Sequence, residues 1–461
     1  MRAAVVAIVA AALLPWSQVT VAHASKHPRN FSGYAFDTCD APSQKAMNRW
    51  RTHSKFWAVG IYIAGANRAC DAQPHLTRGW VRRQTNKGWR LLPLVVGRQA
   101  SCSPKGYYRG QRISPDPSGH YRHARRQGEH AARTAVHAAR RLGIGRHSVL
   151  WFDLEHFDLS NKRCRASAMA FTSAWTRGLH HRKYLSGFYS SASSGIRMVD
   201  SVRRKKGDGW ATPDYVWIAE WNYTPTLRSG YISKQRWWPH RRVHQYRGGH
   251  TERHGGVRIN IDSNILSVGK GTRPGKPAPH CKVRVDFRTY RSLDRGDRGG
   301  KVRAAQCLLR KQGVYDGQLH GRYTRGMRKA VHRFQHRSGK VRATGDLNRA
   351  TWTVLLSDGE RPLVKVGSGG NAVRRLQRAL NASSNARLKI DGVFGQREWA
   401  VVRGLQMRAK LQHHGVVGRA TWKVLRRGAV VGSLPRPKAQ AGALINQLWL
   451  ALPFSSGATP R

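Results

Sequence analysis

The sequence predicts an α/β protein in which a (β/α)8 barrel, similar to a TIM barrel, precedes two small, mainly α-helical domains. Three observations support this fold class. Eight short β-rich runs alternate with helical or loop segments in the first part of the chain, a Gly/Pro-rich break follows, and the region beyond the break repeats itself. Strands that alternate with helices over about 240 residues are typical of a barrel whose active site lies at the C-terminal strand ends.

The eight predicted strands are short runs rich in β-branched and aromatic residues. They are Phe31–Asp37, Trp57–Ile63, Arg90–Val96, Ser148–Asp153, Tyr184–Ser190, Tyr215–Glu220, Arg242–Tyr246 and Val257–Asp262. Between strands, His123–Leu142 and Cys164–His180 carry apolar residues at helical spacing, which predicts two amphipathic helices. We therefore expect the barrel to span residues 31–267.

Residues 268–280 are rich in Gly, Pro and Lys, which is typical of an exposed linker. Beyond them, the pattern Gly-x-x-Gly…Val…Gln…Leu that begins at Gly296 recurs 71 residues later at Gly367. Near the end of each copy, Ala350-Thr-Trp352 recurs as Ala420-Thr-Trp422. This repetition predicts two copies of one helical domain, at residues 281–357 and 362–428. The tail, residues 429–461, has no predicted role and is too short in its apolar part to span a membrane.

The chain is strongly basic, with 83 Lys+Arg against 23 Asp+Glu and a formal net charge of +60. Basic residues occur in every region, so the folded surfaces themselves are expected to attract polyanions. Nucleic acid, wall teichoic acids and anionic lipid all fit this charge. Acidic residues are therefore rare, and an acid at a strand end is more informative than usual.

The N-terminus indicates export. Arg2 precedes a short apolar run, Ala3 to Leu14, and Ala22-His23-Ala24 forms an A-x-A cleavage pattern, so residues 1–24 are predicted to be a removable secretory signal. We expect a secreted, extracellular or wall-associated protein.

Six cysteines in an exported chain are expected to form disulfides. Cys281 and Cys307 are expected to pair with each other, whereas three pairings remain open for Cys39, Cys70, Cys102 and Cys164. Because the sequence has no clustered Cys/His ligand spacing, neither a metal nor another cofactor is expected.

A pair of acidic residues, Asp153 and Glu155, is the main candidate for a catalytic site. Asp153 and Glu155 end a predicted strand, where side-chain alternation places them on one face, roughly 6.6 Å apart along the strand. Glycoside hydrolysis needs such a pair, although two solvated acids at a surface strand end would show the same pattern. Asp37, Glu220 and Asp262 end other predicted strands, so the acids should converge on one barrel mouth. Several aromatic residues accompany them and would either stack on sugar rings or pack the barrel: Tyr34, Trp151, Tyr189, Trp217, Trp221 and Tyr246.

Longer motifs carry a family resemblance. Gly33-Tyr-Ala-Phe-Asp37, Asn67-Arg-Ala-Cys70, Phe152-Asp-Leu-Glu155 and His244-Gln-Tyr246 resemble the actinobacterial glycoside hydrolase-like domain, once catalogued as domain of unknown function 1906. That domain is similar to the family 25 lysozymes, which are muramidases on an irregular β/α barrel. The resemblance implies Glu155 as the general acid, Asp153 as the carboxylate that stabilises the cationic transition state, and Asp37 and Asp262 as supporting acids. The expected substrate contacts are Tyr34, Tyr189, Trp217, Glu220, Trp221, Gln245 and Tyr246.

The two repeats resemble the small three-helix peptidoglycan-binding domain, and this likeness extends to a disulfide between Cys281 and Cys307 that ties the linker to the first helix. Together these features predict a secreted, muramidase-like hydrolase of peptidoglycan glycan strands. The alternative is a catalytically silent wall protein that binds glycan. A nucleic-acid-binding protein would fit the charge but conflicts with the secretory signal. We expect a monomer whose partners are peptidoglycan and anionic wall polymers such as teichoic acids, with no specific nucleic acid and no transmembrane anchor.

Overall fold

The first part of the computed structural model is a closed barrel of eight strands that follow one another in chain order. The strands are β1 (Phe31–Asp37), β2 (Phe56–Ala64), β3 (Arg90–Val95), β4 (Val149–Asp153), β5 (Leu185–Ser191), β6 (Tyr215–Ala219), β7 (Arg241–His254) and β8 (Val257–Val268). The structure describes residues 30–104, 111–204 and 209–432, so the predicted signal segment and residues 433–461 of the tail lie outside the described residues. The predicted α/β barrel is confirmed.

One strand differs from the regular parallel barrel that the sequence pattern predicts. Strands β1 to β7 pair in parallel, but β8 runs antiparallel to both β7 and β1. The cause is the two-residue connection Gly255-Gly256, in which both φ angles are positive, at 57° and 86°. Such a turn joins neighbouring strands as a hairpin. Since β8 also continues to Val268, Asp262 lies inside the strand and does not end it, contrary to the prediction.

Within the described residues, five helices surround the barrel. They are α1 (Gln44–His53), α2 (Arg78–Asn86), α3 (Ser118–Arg141), α4 (Lys162–His181) and α5 (Arg197–Arg204), with a π-helical turn at Ala192–Ile196 before α5. Helices α3 and α4 correspond to the two predicted amphipathic helices. They pack closely because the face of α3 is built from Ala and Gly, and a Cβ at Gly128 would lie 2.3 Å from the carbonyl oxygen of Phe171.

All six cysteines form disulfides, and the structure identifies which cysteines pair where the sequence left three pairings open. The bonds are Cys39–Cys70, Cys102–Cys164 and Cys281–Cys307, with Cα atoms 5.6, 5.9 and 6.0 Å apart. The first joins the segments that follow β1 and β2, and the second joins the segment after β3 to α4. The third ties the end of the linker to the first helix of the repeats, as predicted.

Each repeat contains three helices. The first copy has α6 (Gly300–Lys311), α7 (Arg325–Ser338) and α8 (Arg349–Ser357), and the second has α9 (Asn371–Ser384), α10 (Gln396–Arg408) and α11 (Arg419–Arg426). The repeated glutamine has the same role in both copies. Gln306 Oε1 accepts a hydrogen bond from the Gly321 amide at 2.9 Å, and Gln377 Oε1 accepts one from the Gly392 amide at 3.0 Å. These buried bonds explain why Gln and Gly recur at one spacing.

The second repeat packs against the barrel at the end opposite to the C-terminal strand ends. Lys365 is fully buried, and its ammonium donates hydrogen bonds to the carbonyl oxygens of Arg51, Ser54 and Phe56 at 2.7, 3.0 and 2.6 Å. These carbonyls belong to the end of α1 and the beginning of β2. Among the helices in the described residues, none is long and apolar enough to cross a membrane.

Candidate active site

Four carboxyl groups meet at the mouth of the barrel. Asp37 and Asp153 are the last residues of β1 and β4, and Glu155 follows β4 by two residues. Because β8 is antiparallel, Asp262 in its first half reaches the same end, where it is the register partner of Asp37. The structure therefore brings together the four acids to which the sequence assigned chemistry.

These acids line a cavity of about 570 Å³. A volume in this range is typical of small-ligand sites, which span about 300–1,000 Å³. The neighbouring lining side chains include Tyr62, Asn67, Arg68, His156, Tyr189 and Trp221. The Cys39–Cys70 disulfide also contributes to the wall and links two of the segments that form it. In the part of the chain that the structure describes, no group of three or more His, Cys, Asp or Glu is arranged to hold a metal ion.

The acids form two pairs of neighbouring side chains. The charge of Asp262 acts on Asp37, and the charge of Glu155 acts on Asp153. A carboxylate disfavours the ionisation of a second carboxyl group beside it, so each pair favours a state with fewer than two negative charges.

The pKa values of all four acids are raised. Burial, followed by the charge of Asp262, raises the pKa of Asp37 well above its usual range. Burial, followed by the charge of Glu155, does the same to the pKa of Asp153. The pKa of Glu155 is raised by burial and by Asp262, and that of Asp262 is raised by burial. The site therefore retains protons at a pH at which exposed carboxyl groups are ionised.

Gln245 connects the acids to the aromatic wall. Its Nε2 donates to Asp37 Oδ2 and to Asp262 Oδ2, each at 3.2 Å. Its Oε1 accepts hydrogen bonds from the Tyr189 hydroxyl at 3.1 Å and from Trp221 Nε1 at 2.8 Å. A neutral amide orients the carboxyl groups without supplying a positive charge, so it leaves the effect of burial on their pKa values largely intact.

The floor of the site is apolar. Trp151 and Trp217 fill the barrel interior beneath the acids and are fully buried, with their rings in an edge contact at 5.4 Å. Trp217 Nε1 donates to Asn264 Oδ1 at 2.7 Å, and Asn264 Nδ2 donates to Asp37 Oδ1 at 2.6 Å. Asp153 Oδ1 is buried and has no hydrogen-bond partner among the described residues. An apolar floor with so few hydrogen-bond donors disfavours the ionisation of a second carboxyl group once one of the acids is ionised.

Gln99 holds the backbone between the paired acids. Its Nε2 donates to the Asp153 carbonyl oxygen at 2.9 Å, and its Oε1 accepts from the Glu155 amide at 2.8 Å. The Cys102–Cys164 disulfide anchors the segment that carries Gln99. The spacing of the two acids is thus set by a side chain from the neighbouring loop, to which the sequence analysis assigned no role.

Tyr189 and Trp221, two of the predicted substrate contacts, line the cavity. Trp221 is 61% exposed, which leaves one face of the ring available to a ligand. Trp217 was predicted to contact substrate as well, but it is buried in the floor beneath the cavity.

Tyr34 and Tyr246 lie on the outer face of the barrel wall, contrary to the prediction that they contact substrate. Side chains alternate along a strand, and these two have the opposite parity to Asp37 and Gln245. The Tyr34 hydroxyl instead accepts a hydrogen bond from Gln396 Nε2 of the second repeat at 2.5 Å. Tyr246 accepts one from a lysine ammonium on the outer surface.

Glu220 also lies outside the cavity lining, although it directly follows β6. Its amide donates to the Gln245 carbonyl oxygen at 3.1 Å, and its own carbonyl oxygen accepts from His244 Nε2 at 2.8 Å. Its contribution to the site is therefore made through the backbone that supports Gln245.

Several lining residues were not predicted. Tyr62 ends no strand and is not acidic, yet burial raises its pKa well above its usual range, so its hydroxyl remains a hydrogen-bond donor. Asn264 lies two residues after Asp262 in β8, so strand alternation could have identified it. Arg68 and His156 lie in loops, and the sequence pattern contains no comparable indication for them.

Comparisons with known proteins are consistent with this architecture. Residues 48–266 match the family model described as the Rv2525c-like, glycoside hydrolase-like domain, and residues 298–355 and 369–425 each match the peptidoglycan binding domain model PG_binding_1. Three of the acids fall within the first match, and Asp37 precedes it. No curated protein matches the chain.

The solved structures that are similar to about half of the chain include the following three. An uncharacterized B. stearothermophilus protein has 20% sequence identity and a TM-score of 0.33, with 51% of this chain and 95% of that chain covered. The Mycobacterium tuberculosis Tat-secreted protein Rv2525c, in complex with L-tartrate, has 14% identity and a TM-score of 0.35, with coverage of 51% and 96%. A family 25 glycosyl hydrolase from Bacillus anthracis has 13% identity and a TM-score of 0.31, with coverage of 51% and 89%.

Proposed function

Because the chain carries an Rv2525c-like glycoside hydrolase-like domain followed by two peptidoglycan-binding domains, we propose that it is a muramidase-like hydrolase of peptidoglycan glycan strands. The domain content by itself suggests a function related to cell-wall glycans. Cleavage of the glycan is the further step that we propose. The observation that carries it is the pair of neighbouring carboxyl groups of Asp153 and Glu155, which both line the cavity at the barrel mouth and both have raised pKa values.

In the proposed mechanism, Glu155 is the general acid. It is more exposed than Asp153, which is only 3% exposed, so its carboxyl group is the better placed to reach a glycosidic oxygen. Burial and the charge of Asp262 raise the pKa of Glu155, which favours its protonated form before the reaction. Glycosidase acids need a raised pKa of this kind.

Asp153 stabilises the positive charge that develops on the sugar ring. An oxocarbenium-like centre near Asp153 favours its ionised form. Glu155 passes its proton to the leaving oxygen as the glycosidic bond breaks, and a water molecule then adds to the ring carbon and returns a proton to Glu155. Asp37 and Asp262 support the pair, because the charge of Asp262 contributes to the raised pKa of Glu155. Tyr189 and Trp221 offer the aromatic contacts that a sugar ring requires.

The remainder of the chain would hold the enzyme at its substrate. Two wall-binding domains on one chain increase avidity when both can reach their sites. Three disulfides and the wall-binding domains suggest an extracellular or cell-wall location, and we propose export through the N-terminal segment. We propose that residues 31–267 carry out catalysis and that residues 281–357 and 362–428 bind the wall, as the sequence suggests.

Release of reducing ends from purified peptidoglycan tests the proposal. We expect Glu155→Gln to reduce the rate by about 10²- to 10⁴-fold, which is the usual contribution of a general acid. Glu360→Gln is the matched control, because it makes the same chemical change at an exposed residue outside the barrel and should leave the rate unaltered.

Full activity of the Glu155→Gln protein would contradict the assignment of the acid. Absence of reducing ends with both proteins, together with retention on insoluble peptidoglycan, would instead support a catalytically silent glycan-binding protein.

A further inference from the structure

A basic cleft lies between the two helical repeats, far along the chain from the barrel acids. It has a volume of about 490 Å³, and its walls come from α7 and α8 of the first copy and from α11 of the second. Phe334 and Val354 form a buried apolar base. Arg349 on α8 holds the copies together by donating to the carbonyl oxygens of Ala382 and Ser383 at 3.0 and 2.9 Å.

The cleft is lined by six cationic side chains and a single carboxylate. The cations are Arg337, Lys340, Arg361, Lys423, Arg426 and Arg427. The carboxylate, Asp358, is already engaged, since it accepts from Arg426 Nη2 and from Gln312 Nε2 at 3.0 Å each. Within the described residues, none of the other five cations has a carboxylate partner. Their mutual repulsion is relieved only by an anionic ligand or by salt.

We propose that this cleft binds a polyol-phosphate polymer, a chain of phosphodiesters of the kind found in wall teichoic acids. Five cations without a carboxylate partner, on two adjacent domains, match a ligand that carries several negative charges in succession, and binding such a ligand releases its counterions. A neutral glycan would leave all five cations without an anionic partner. The proposal concerns a binding site separate from the barrel and rests on the proposed function only for the location of the protein at the wall.

The lining favours this polymer over nucleic acid and over a lipid surface. Single-stranded nucleic acids are held by aromatic side chains on which bases stack, but the one aromatic side chain in the lining, Phe334, is buried and is 5% exposed. A membrane presents a flat surface, which does not follow a concave cleft between two helical domains. A flexible chain without bases can follow the cleft and place its phosphates against both walls.

Fluorescence anisotropy of the full chain with labelled poly(glycerol phosphate) tests the site. The variant is Lys340→Ala/Lys423→Ala/Arg427→Ala, whose three residues are exposed, have no carboxylate partner and come from both copies. If all three contact phosphates, the slope of log affinity against log salt should become shallower by about 2, and affinity at 0.1 M salt should fall about 100-fold. The matched control is Arg126→Ala/Arg133→Ala/Arg141→Ala, which removes the same charge from exposed positions on α3 and should change affinity by less than about threefold.

Equal losses in the two triple variants would show that net charge alone attracts the polymer and would overturn the proposal, as would wild-type affinity in the cleft variant. Single-stranded DNA with the same number of phosphates is the competitor. Equal or tighter binding of that DNA in the cleft would also refute a site for polyol phosphate. The test is independent of catalysis, because it measures the affinity for the polymer and Glu155→Gln should bind the polymer like wild type.

Discussion

Replacing Lys365 by Met should weaken the attachment of the second repeat to the barrel. The wild-type ammonium donates to three barrel carbonyl oxygens at 2.6–3.0 Å, and it lies 4.3 Å from the centre of the Trp57 ring. Met retains an unbranched apolar side chain of similar length but has no donor. The substitution therefore removes the hydrogen bonds and leaves most of the packing in place.

The expected loss is about 3 kcal/mol in the free energy of unfolding. Each hydrogen bond from a charged donor contributes roughly 1.5–3 kcal/mol, which gives an upper sum of about 9 kcal/mol for three. Removing a buried charge recovers several kcal/mol of desolvation cost. Burial, followed by the charges of Arg51 and Arg90, lowers the pKa of Lys365 well below its usual range, which reflects that cost. If about 6 kcal/mol of desolvation cost is recovered, a loss of about 3 kcal/mol remains from the upper sum.

Urea denaturation followed by tryptophan fluorescence measures this loss, and limited proteolysis of the exposed linker reports whether the repeat has separated from the barrel. Lys389→Met is the control, because Lys389 is exposed and the same substitution there should change stability by no more than about 0.5 kcal/mol. A Lys365→Met protein as stable and as protease-resistant as wild type would refute the conclusion that these three hydrogen bonds hold the repeat to the barrel.

Two further predictions concern the carboxyl cluster. Because the pKa of Asp153 is raised, the stability that its protonated form contributes is full below pH ~3.9 and is lost as the pH rises through the folded-state pKa. Asp153→Asn should therefore be more stable than wild type at pH 7, by about 1.4 kcal/mol for each unit by which the pKa is raised. This advantage should shrink towards pH 4. Urea denaturation between pH 4 and 8 measures this, and a less stable variant at pH 7 would contradict it. Gln99→Leu should lower kcat on peptidoglycan by about tenfold or more while KM changes little, because it releases the backbone between Asp153 and Glu155; steady-state kinetics that show a change in KM alone would argue against this positioning role.

Local patterns in the sequence were sufficient to predict the barrel, the helices of the repeats and the positions of the candidate acids along the strands. Alternating strand side chains place Asp153 and Glu155 together, and the same alternation excludes Tyr34 and Tyr246 from the cavity once it is applied to each strand in turn. The repeats were evident because a buried Gln that caps a Gly amide must recur at the same spacing in each copy. These features depend on residues that are near one another along the chain.

Contacts between distant segments required the tertiary structure. The direction of β8 depends on the Gly255-Gly256 hairpin and on closure of the barrel, and that direction decides that Asp262 faces Asp37. The sequence named Gln245 only as a substrate contact and assigned no role to Gln99, because the hydrogen bonds that both side chains make depend on the neighbours that barrel closure brings to them. Likewise, Lys365 is one lysine among many until the second repeat packs on the barrel and buries it. Residue type and periodicity therefore identified the candidate acids, whereas barrel closure and domain packing decided which groups surround them and raise their pKa values.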